Sequence, residues 1–144
     1  MNGATSTQDR WTPRLLSILR MVTAFVFMEH GTQKMFHFPT APMSAHMPGH
    51  LPPHLIVAGL LEAFGGLLIL VGLFIRPVAF ILAGEMAVAY FMVHAGQGFW
   101  PLLNRGETAV IYCFVFLYLA AAGGGAWSAD RLWGRGSNPP RTAL

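Results

Sequence analysis

Four long apolar stretches constrain the fold of this chain more than any other feature of its sequence. They cover about residues 14–36, 53–75, 77–97 and 102–122. A helix rises about 1.5 Å per residue, so about 20 residues cross the roughly 30 Å apolar core of a bilayer. With 54% hydrophobic and 10% charged residues, the chain has too little polar surface to cover a water-soluble domain. The sequence therefore predicts an all-α membrane protein, a bundle of four transmembrane helices.

Proline and glycine residues place the connections between these stretches. Five prolines from Pro39 to Pro53 interrupt the chain after the first stretch, where a helix cannot easily continue. The second connection, at Arg76-Pro77, is so short that helices two and three must form a tight antiparallel hairpin. Residues 98–104 form the third connection, and three glycines at 123–125 end the fourth helix. The resulting division is a polar segment 1–13, a membrane domain 14–125 and a tail 126–144.

Basic residues indicate the orientation of the bundle. The side with only Lys34 and Arg105 is predicted to be external, because cytoplasmic loops carry an excess of Lys and Arg. Both termini are therefore predicted to be cytoplasmic, in a multi-pass protein of the inner (plasma) membrane of a bacterial-type cell. The basic residues form no run, so the pI of 9.6 does not indicate nucleic-acid binding. Those assigned to the cytoplasmic side are Arg10, Arg14, Arg20, Arg76, Arg131, Arg135 and Arg141.

Polar side chains within the apolar stretches locate the candidate functional site. Counting the rise along each helix puts Glu29, His30 and Glu62 in the outer half of the membrane, with Lys34, His94 and Glu107 nearer the outer surface. Imidazole and carboxyl groups in a medium of low dielectric can share and transfer a proton. Two of the six residues also have ordinary interpretations. Lys34 can extend to the outer surface, and Glu107 has capping-box spacing from Asn104.

A second polar layer is predicted in the inner half. Arg20 and Glu85 fall at similar depths, and an intramembrane charge requires a partner or a neutral form. The sequence favours a structural ion pair between helices one and three over a proton path through these two residues.

The first external loop suggests metal chemistry as an alternative. Met43 and Met47 are four residues apart, as are His46 and His50, and His54 follows. Imidazole and thioether groups together suit copper better than zinc or magnesium. The other interpretation is a proline-rich connection in which His and Met fill the membrane interface.

Several motifs occur in order along residues 14–130. They are Arg20, 29–36 (EHGTQKMF), 61–68 (LEAFGGLL), 72–77 (GLFIRP), 86–91 (MAVAYF) with His94, 98–104 (GFWPLLN), Gly106-Glu107 and Tyr112-Cys113. In these motifs the chain resembles the DoxX family of small four-helix membrane proteins. The His- and Met-containing loop is not explained by this resemblance.

The resemblance implies a role in membrane redox chemistry, since the family is named for a subunit linked to quinone-coupled sulfur oxidation. It implies an accessory or quinone-interacting subunit of an oxidoreductase, with a quinone head group near Glu29, His30, Glu62 and His94. The sequence has no haem-attachment motif, iron–sulfur cysteine set or nucleotide-binding loop, so stand-alone redox catalysis is not expected. Beyond the lipid bilayer, the expected partner is a membrane redox complex or another copy of the chain. Copper or small-solute binding or transport, and a structural or assembly role, remain alternatives.

Overall fold

The computed structural model describes residues 7–40 and 52–134, and every regular element in these ranges is a helix. The all-α prediction is therefore confirmed for this part of the chain. The elements are α1 (Thr7–Phe36), α2 (Pro53–Val71), α3 (Ile75–Gln97), α4 (Glu107–Ala122) and the short α5 (Ala129–Leu132).

Three of these helices, α1 to α3, are long and apolar enough to cross a membrane. α4 is apolar but shorter, with 16 residues that span about 24 Å. Large apolar side chains cover the outside of the bundle, and Phe80, Phe91 and Phe114 are 66%, 72% and 67% exposed. Such an apolar surface is suited to lipid contact rather than to water. The fourth span remains a prediction.

The turn between α2 and α3 lies at Gly72–Phe74 and not, as predicted, at Arg76-Pro77. Gly72 has a φ of 86°, in the left-handed region that favours glycine, and its Cα approaches Ser128 too closely for a side chain. The N–H groups of Gly72 and Leu73 both donate to the Leu68 carbonyl and so end α2. Pro77 lies in the first turn of α3, where its missing N–H does not interrupt the helix.

α4 begins at Glu107, later than the predicted residue 102, because hydrogen-bonded turns occupy residues 101–105. The N–H groups of Leu103 and Asn104 both donate to the Trp100 carbonyl. The predicted capping box between Asn104 and Glu107 is not formed, since Gly106 is the N-cap and the Asn104 side chain accepts the Gly106 N–H instead. α1 begins at Thr7, seven residues before the predicted start at 14, and includes Pro13.

The helices pack as two close pairs, α1 along α2 and α3 along α4. Small residues of α2 form its contact with α1. Gly59 lies against Met35, and Gly66 lies against Met28. The closest approach is at Gly31, where a Cβ atom would stand 2.5 Å from the backbone nitrogen of Ala63.

An aromatic cluster joins α1 to α4 in the core. The Phe27 ring meets Tyr112 and Phe116 edge to face, at centroid distances of 5.0 and 4.8 Å. Such pairs contribute about 0.5–1.5 kcal/mol beyond the apolar area that they bury. Two of its rings, Phe27 and Tyr112, line the candidate site.

The start of α1 and the end of α4 meet at one end of the bundle, called here the terminal end. The Ala126 N–H donates to the Pro13 carbonyl at 2.9 Å. From α5, the Asp130 carboxylate accepts the N–H groups of Phe74 and Ile75 and so caps α3. The opposite end, where α1 ends and α4 begins, is called the loop end.

Candidate functional site

A cavity of about 150 Å³ lies between the four long helices in the half of the bundle nearer the loop end. Its walls combine ionisable groups with an aromatic and aliphatic lining. Four of the six residues predicted to form the polar cluster line it. The full lining is Phe27, His30, Lys34, Glu62, Met86, Ala89, His94, Thr108, Ala109 and Tyr112.

An ion pair joins α1 to α2 in this cavity. Lys34 Nζ donates to Glu62 Oε1, and the Glu62 residue is only 3% exposed. Lys34 therefore turns inward rather than extending to the outer surface. The second carboxylate oxygen, Glu62 Oε2, is buried and accepts no hydrogen bond from the described residues. A buried oxygen with unused acceptor capacity can bind a proton or a ligand donor.

Glu85 also belongs to this neighbourhood. Its carboxyl group interacts electrostatically with Glu62 and Lys34, and within the described ranges neither of its buried oxygens has a hydrogen-bond partner. The predicted pair between Arg20 and Glu85 is not formed. Arg20 instead donates to the carbonyl oxygens of Ile69, Leu70, Gly124 and Trp127 at the terminal end. The depth count misplaced Glu85 because α3 begins two residues earlier than predicted and α2 ends four residues earlier.

His94 enters the cavity from α3 in a defined tautomer. Its Nδ1 lies 2.9 Å from the Asn104 carbonyl oxygen. Because a carbonyl can only accept, Nδ1 carries the hydrogen, and Nε2 of the neutral ring is the proton acceptor. Asn104 is itself fully buried, and its side chain donates to the Gly98 carbonyl at 2.8 Å and to the Tyr90 hydroxyl at 3.3 Å. The loop before α4 therefore orients this histidine.

Tyr112 and His30 form the side of the cavity between α4 and α1. Their rings meet edge to face with centroids 6.0 Å apart. Tyr112 is 8% exposed, and its hydroxyl makes no hydrogen bond to a described residue. The hydroxyl is thus a donor and acceptor available to a molecule in the cavity.

π-helical turns carry two of the site residues. Leu61–Gly65 includes Glu62, and Tyr90–His94 ends at His94. A π-helical turn changes the rotation of the side chains relative to the rest of the helix, and such turns are frequent at functional sites. Both turns set the direction of an ionisable side chain that lines the cavity.

The other predicted site residues lie outside the cavity. Glu29 is half-buried and within electrostatic range of Tyr112, whereas Glu107 is exposed on the first turn of α4. The predicted copper ligands Met43, His46, Met47 and His50 lie outside the described residues, and His54 is exposed at the start of α2. Residues 7–40 and 52–134 contain no cluster of three metal-ligating His, Cys, Asp or Glu side chains.

Comparison with known proteins identifies the family. The DoxX family profile matches residues 15–95, which is more than half of the chain. The chain belongs to the DoxX family. An uncharacterized protein of Haemophilus influenzae is 43% identical to this DoxX chain over 125 residues, covering 85% of the chain and 92% of the relative. No solved structure matches it. The family match and the three helices long enough to cross a membrane together identify this chain as a membrane protein of the DoxX family.

Sequence reasoning missed three residues that shape the site of this DoxX protein. Tyr112 and Asn104 occur within the family-like motifs, but their spacing alone indicates neither a cavity wall nor a loop that holds His94. Glu85 was assigned to the wrong layer. Glu85 and Tyr112 were visible as polar residues between apolar neighbours, whereas the groups that surround them depended on how the helices pack.

Proposed function

We propose that this DoxX protein binds the head group of a membrane quinone in the Lys34–Glu62 cavity, as an accessory subunit of a membrane oxidoreductase. The observation that carries the proposal is a cavity inside a membrane-protein bundle that holds an ion pair, two imidazoles and a phenol together. Polar groups placed within apolar walls are the usual composition of a small-molecule site. The coupling to an oxidoreductase rests on family analogy.

The size and chemistry of the cavity suit one substituted ring. About 150 Å³ is below the roughly 300–1,000 Å³ of cavities that enclose a drug-sized ligand. A quinone tail would therefore lie outside, among the lipids. Lys34 and the Tyr112 hydroxyl offer donors for carbonyl oxygens, and Phe27 and Met86 offer apolar contacts for the ring faces.

The same residues can hold and exchange protons. Lys34 neutralises one of the two neighbouring carboxyl groups, Glu62 and Glu85. An uncompensated charge is costly in a medium of low dielectric, so the second carboxyl group requires a proton or a ligand donor. His94 lines the cavity from α3 and offers its Nε2 as a proton acceptor. The cavity thus holds groups that can give and accept a proton.

A bound quinone would supply the redox chemistry, in which two electrons and two protons convert it to the quinol. Electrons come from the partner oxidoreductase in this proposal. The residues of this chain bind the ring, orient it and exchange protons with it at the Glu62 carboxyl group and the His94 imidazole.

The test is the binding of decyl-ubiquinone to the purified full chain in detergent, measured by titration calorimetry. The decisive variant is Lys34→Met with Glu62→Gln, which removes both charges while keeping similar side-chain volumes and leaves no unpaired charge. We expect its affinity to fall at least about tenfold, because a charged hydrogen bond contributes about 1.5–3 kcal/mol. Tyr112→Phe, which removes one oxygen atom, should weaken binding severalfold.

Glu107→Gln is the matched control, since it makes the same chemical change at an exposed carboxyl outside the cavity. It should bind decyl-ubiquinone like the wild type, and all variants should retain the wild-type unfolding temperature. Wild-type affinity in both the double variant and Tyr112→Phe would refute the quinone site. That outcome would favour a structural or assembly role for the polar cluster.

A further inference from the structure

A larger cavity of about 890 Å³ opens at the terminal end of the bundle, away from the proposed quinone site. The start of α1, the start of α3, the glycine turn after α4 and the short α5 form its walls. Its volume is in the range of cavities that bind drug-sized ligands, roughly 300–1,000 Å³. No step of the proposed function uses it.

Two arginine side chains line this cavity. Arg76 comes from the first turn of α3 and Arg131 from α5. Neither guanidinium forms a hydrogen bond or an ion pair with a described residue. Arg76 lies beside the turn after α4, since its Nε is 3.9 Å from the position that a Cβ atom of Gly123 would occupy. Two guanidinium groups with unused hydrogen-bond donors therefore belong to the same cavity.

The cavity also contains one carboxylate, Asp130, which opposes an anion. Both of its oxygens already accept backbone N–H groups, from Phe74 and Ile75, and it interacts electrostatically with the buried Arg20. With Arg76 and Arg131, the ionised side chains of the cavity wall sum to a positive charge. Electrostatics therefore favours an anionic ligand.

The remaining walls are apolar, which selects an amphiphile rather than a small ion. Leu16, Phe74 and Pro77 line the cavity together with the ring of Tyr118. Trp127 and Trp133 are 53% and 65% exposed near this end. Tryptophan is enriched at the depth of lipid head groups.

We propose that the Arg76–Arg131 cavity binds an anionic membrane phospholipid, with the phosphate on the two guanidinium groups and acyl carbons along the apolar wall. Guanidinium matches phosphate oxygens in a bidentate geometry that an ammonium group lacks. The distribution of basic residues predicts that this end is cytoplasmic, where anionic lipids attract basic segments. The site is independent of the proposed quinone site.

The experiment uses the full chain in neutral detergent and measures lipid retention by native mass spectrometry. Phosphatidylglycerol and phosphatidylcholine are offered in equal amounts, with inorganic phosphate in a separate arm. The wild type should retain phosphatidylglycerol preferentially. Arg76→Gln with Arg131→Gln should lower that affinity about thirtyfold, and each single variant about fivefold, from a contribution of about 1 kcal/mol per arginine near a membrane surface.

Arg105→Gln is the matched control, because Arg105 is exposed in the loop at the opposite end of the bundle. It should retain phosphatidylglycerol like the wild type. Equal retention of phosphatidylglycerol by the wild type and both single variants would overturn the proposal. Because Arg76 and Arg131 are exposed, the single variants still test it if the double variant does not fold. Binding of inorganic phosphate as tight as that of phosphatidylglycerol would also overturn it, in favour of a small-anion site. Decyl-ubiquinone binding should be unchanged in every arginine variant.

Discussion

Arg20 has no solvent exposure, and its guanidinium is surrounded by backbone carbonyl oxygens rather than by a carboxylate. Ile69 and Leu70 lie in the last turn of α2, where carbonyl groups lack partners within the helix. In the hydrocarbon core of a bilayer no water is present to satisfy such groups. Arg20 therefore joins α1 to the end of α2 and to the turn that follows α4.

We expect Arg20→Met to destabilise the protein by at least about 3 kcal/mol, because several buried carbonyl oxygens lose a charged donor. Arg20→Lys should recover little of this stability, since an ammonium group on a flexible stem cannot reproduce the planar set of donors. The measurement is thermal unfolding of the full chain in detergent.

Arg14→Met provides the control for this substitution. Arg14 is on the same helix but exposed, with its guanidinium 5.7 Å from the centroid of the Trp11 ring. Its loss should cost no more than about 1 kcal/mol. Equal losses of stability in the Arg14 and Arg20 variants would contradict the structural role assigned to Arg20.

At the scale of elements, the contact between α1 and α2 depends on Gly31. The position lies between the site residues His30 and Lys34 of α1 and packs on the backbone beside Glu62. Small residues at such a crossing allow two helix backbones to approach closely. The same contact that packs the pair also brings Lys34 to Glu62.

We expect Gly31→Ala to destabilise the protein by about 1–3 kcal/mol, because the new methyl group would overlap the backbone of Ala63 and separate the helices. The Lys34–Glu62 pair should be disturbed as a consequence, and decyl-ubiquinone affinity should fall with stability. Unfolding temperature and calorimetric titration measure the two effects.

Gly84→Ala tests whether this effect is specific to the crossing. Gly84 lies within α3 and has no atom within 4 Å of its added Cβ position. The substitution should be neutral or stabilising by up to about 1 kcal/mol, from helix propensity alone. A Gly31→Ala variant as stable as Gly84→Ala would refute the close-contact explanation.

At the scale of the whole molecule, the first helix and the segment after α4 meet. The hydrogen bond from Ala126 to Pro13 places the start of α1 and the segment after α4 at one end of the bundle. α4 must then return across the same thickness that α3 crosses, although it has only 16 residues. This arrangement supports four spans rather than three.

We expect reporter fusions at the N- and C-termini to report the same side of the membrane, and that side to be cytoplasmic. Fusion of a fluorescent protein and of a periplasmic phosphatase at each terminus makes the measurement. Reporters on opposite sides of the membrane would show that the chain has three spans. Reporters that are both external would agree with four spans but contradict the predicted orientation.

The amino-acid sequence alone predicted the class of the fold and four of the residues that line the candidate site. Transfer of apolar residues from water into lipid is favourable along each stretch, so the helical segments are visible without knowledge of their neighbours. The same argument marks intramembrane polar residues as exceptional, which selected His30, Lys34, Glu62 and His94. Proline and glycine placed the connections to within a few residues.

The packing of the helices sets which polar groups meet. Depth along a helix follows from residue counts, but the direction of a side chain depends on helix ends and on the π-helical turns that carry Glu62 and His94. The end of α2 at Val71 brings Glu85 near Glu62 and Lys34. Carbonyl groups far along the chain are the partners of Arg20. Those contacts join distant segments, so packing of the four helices was required to define them.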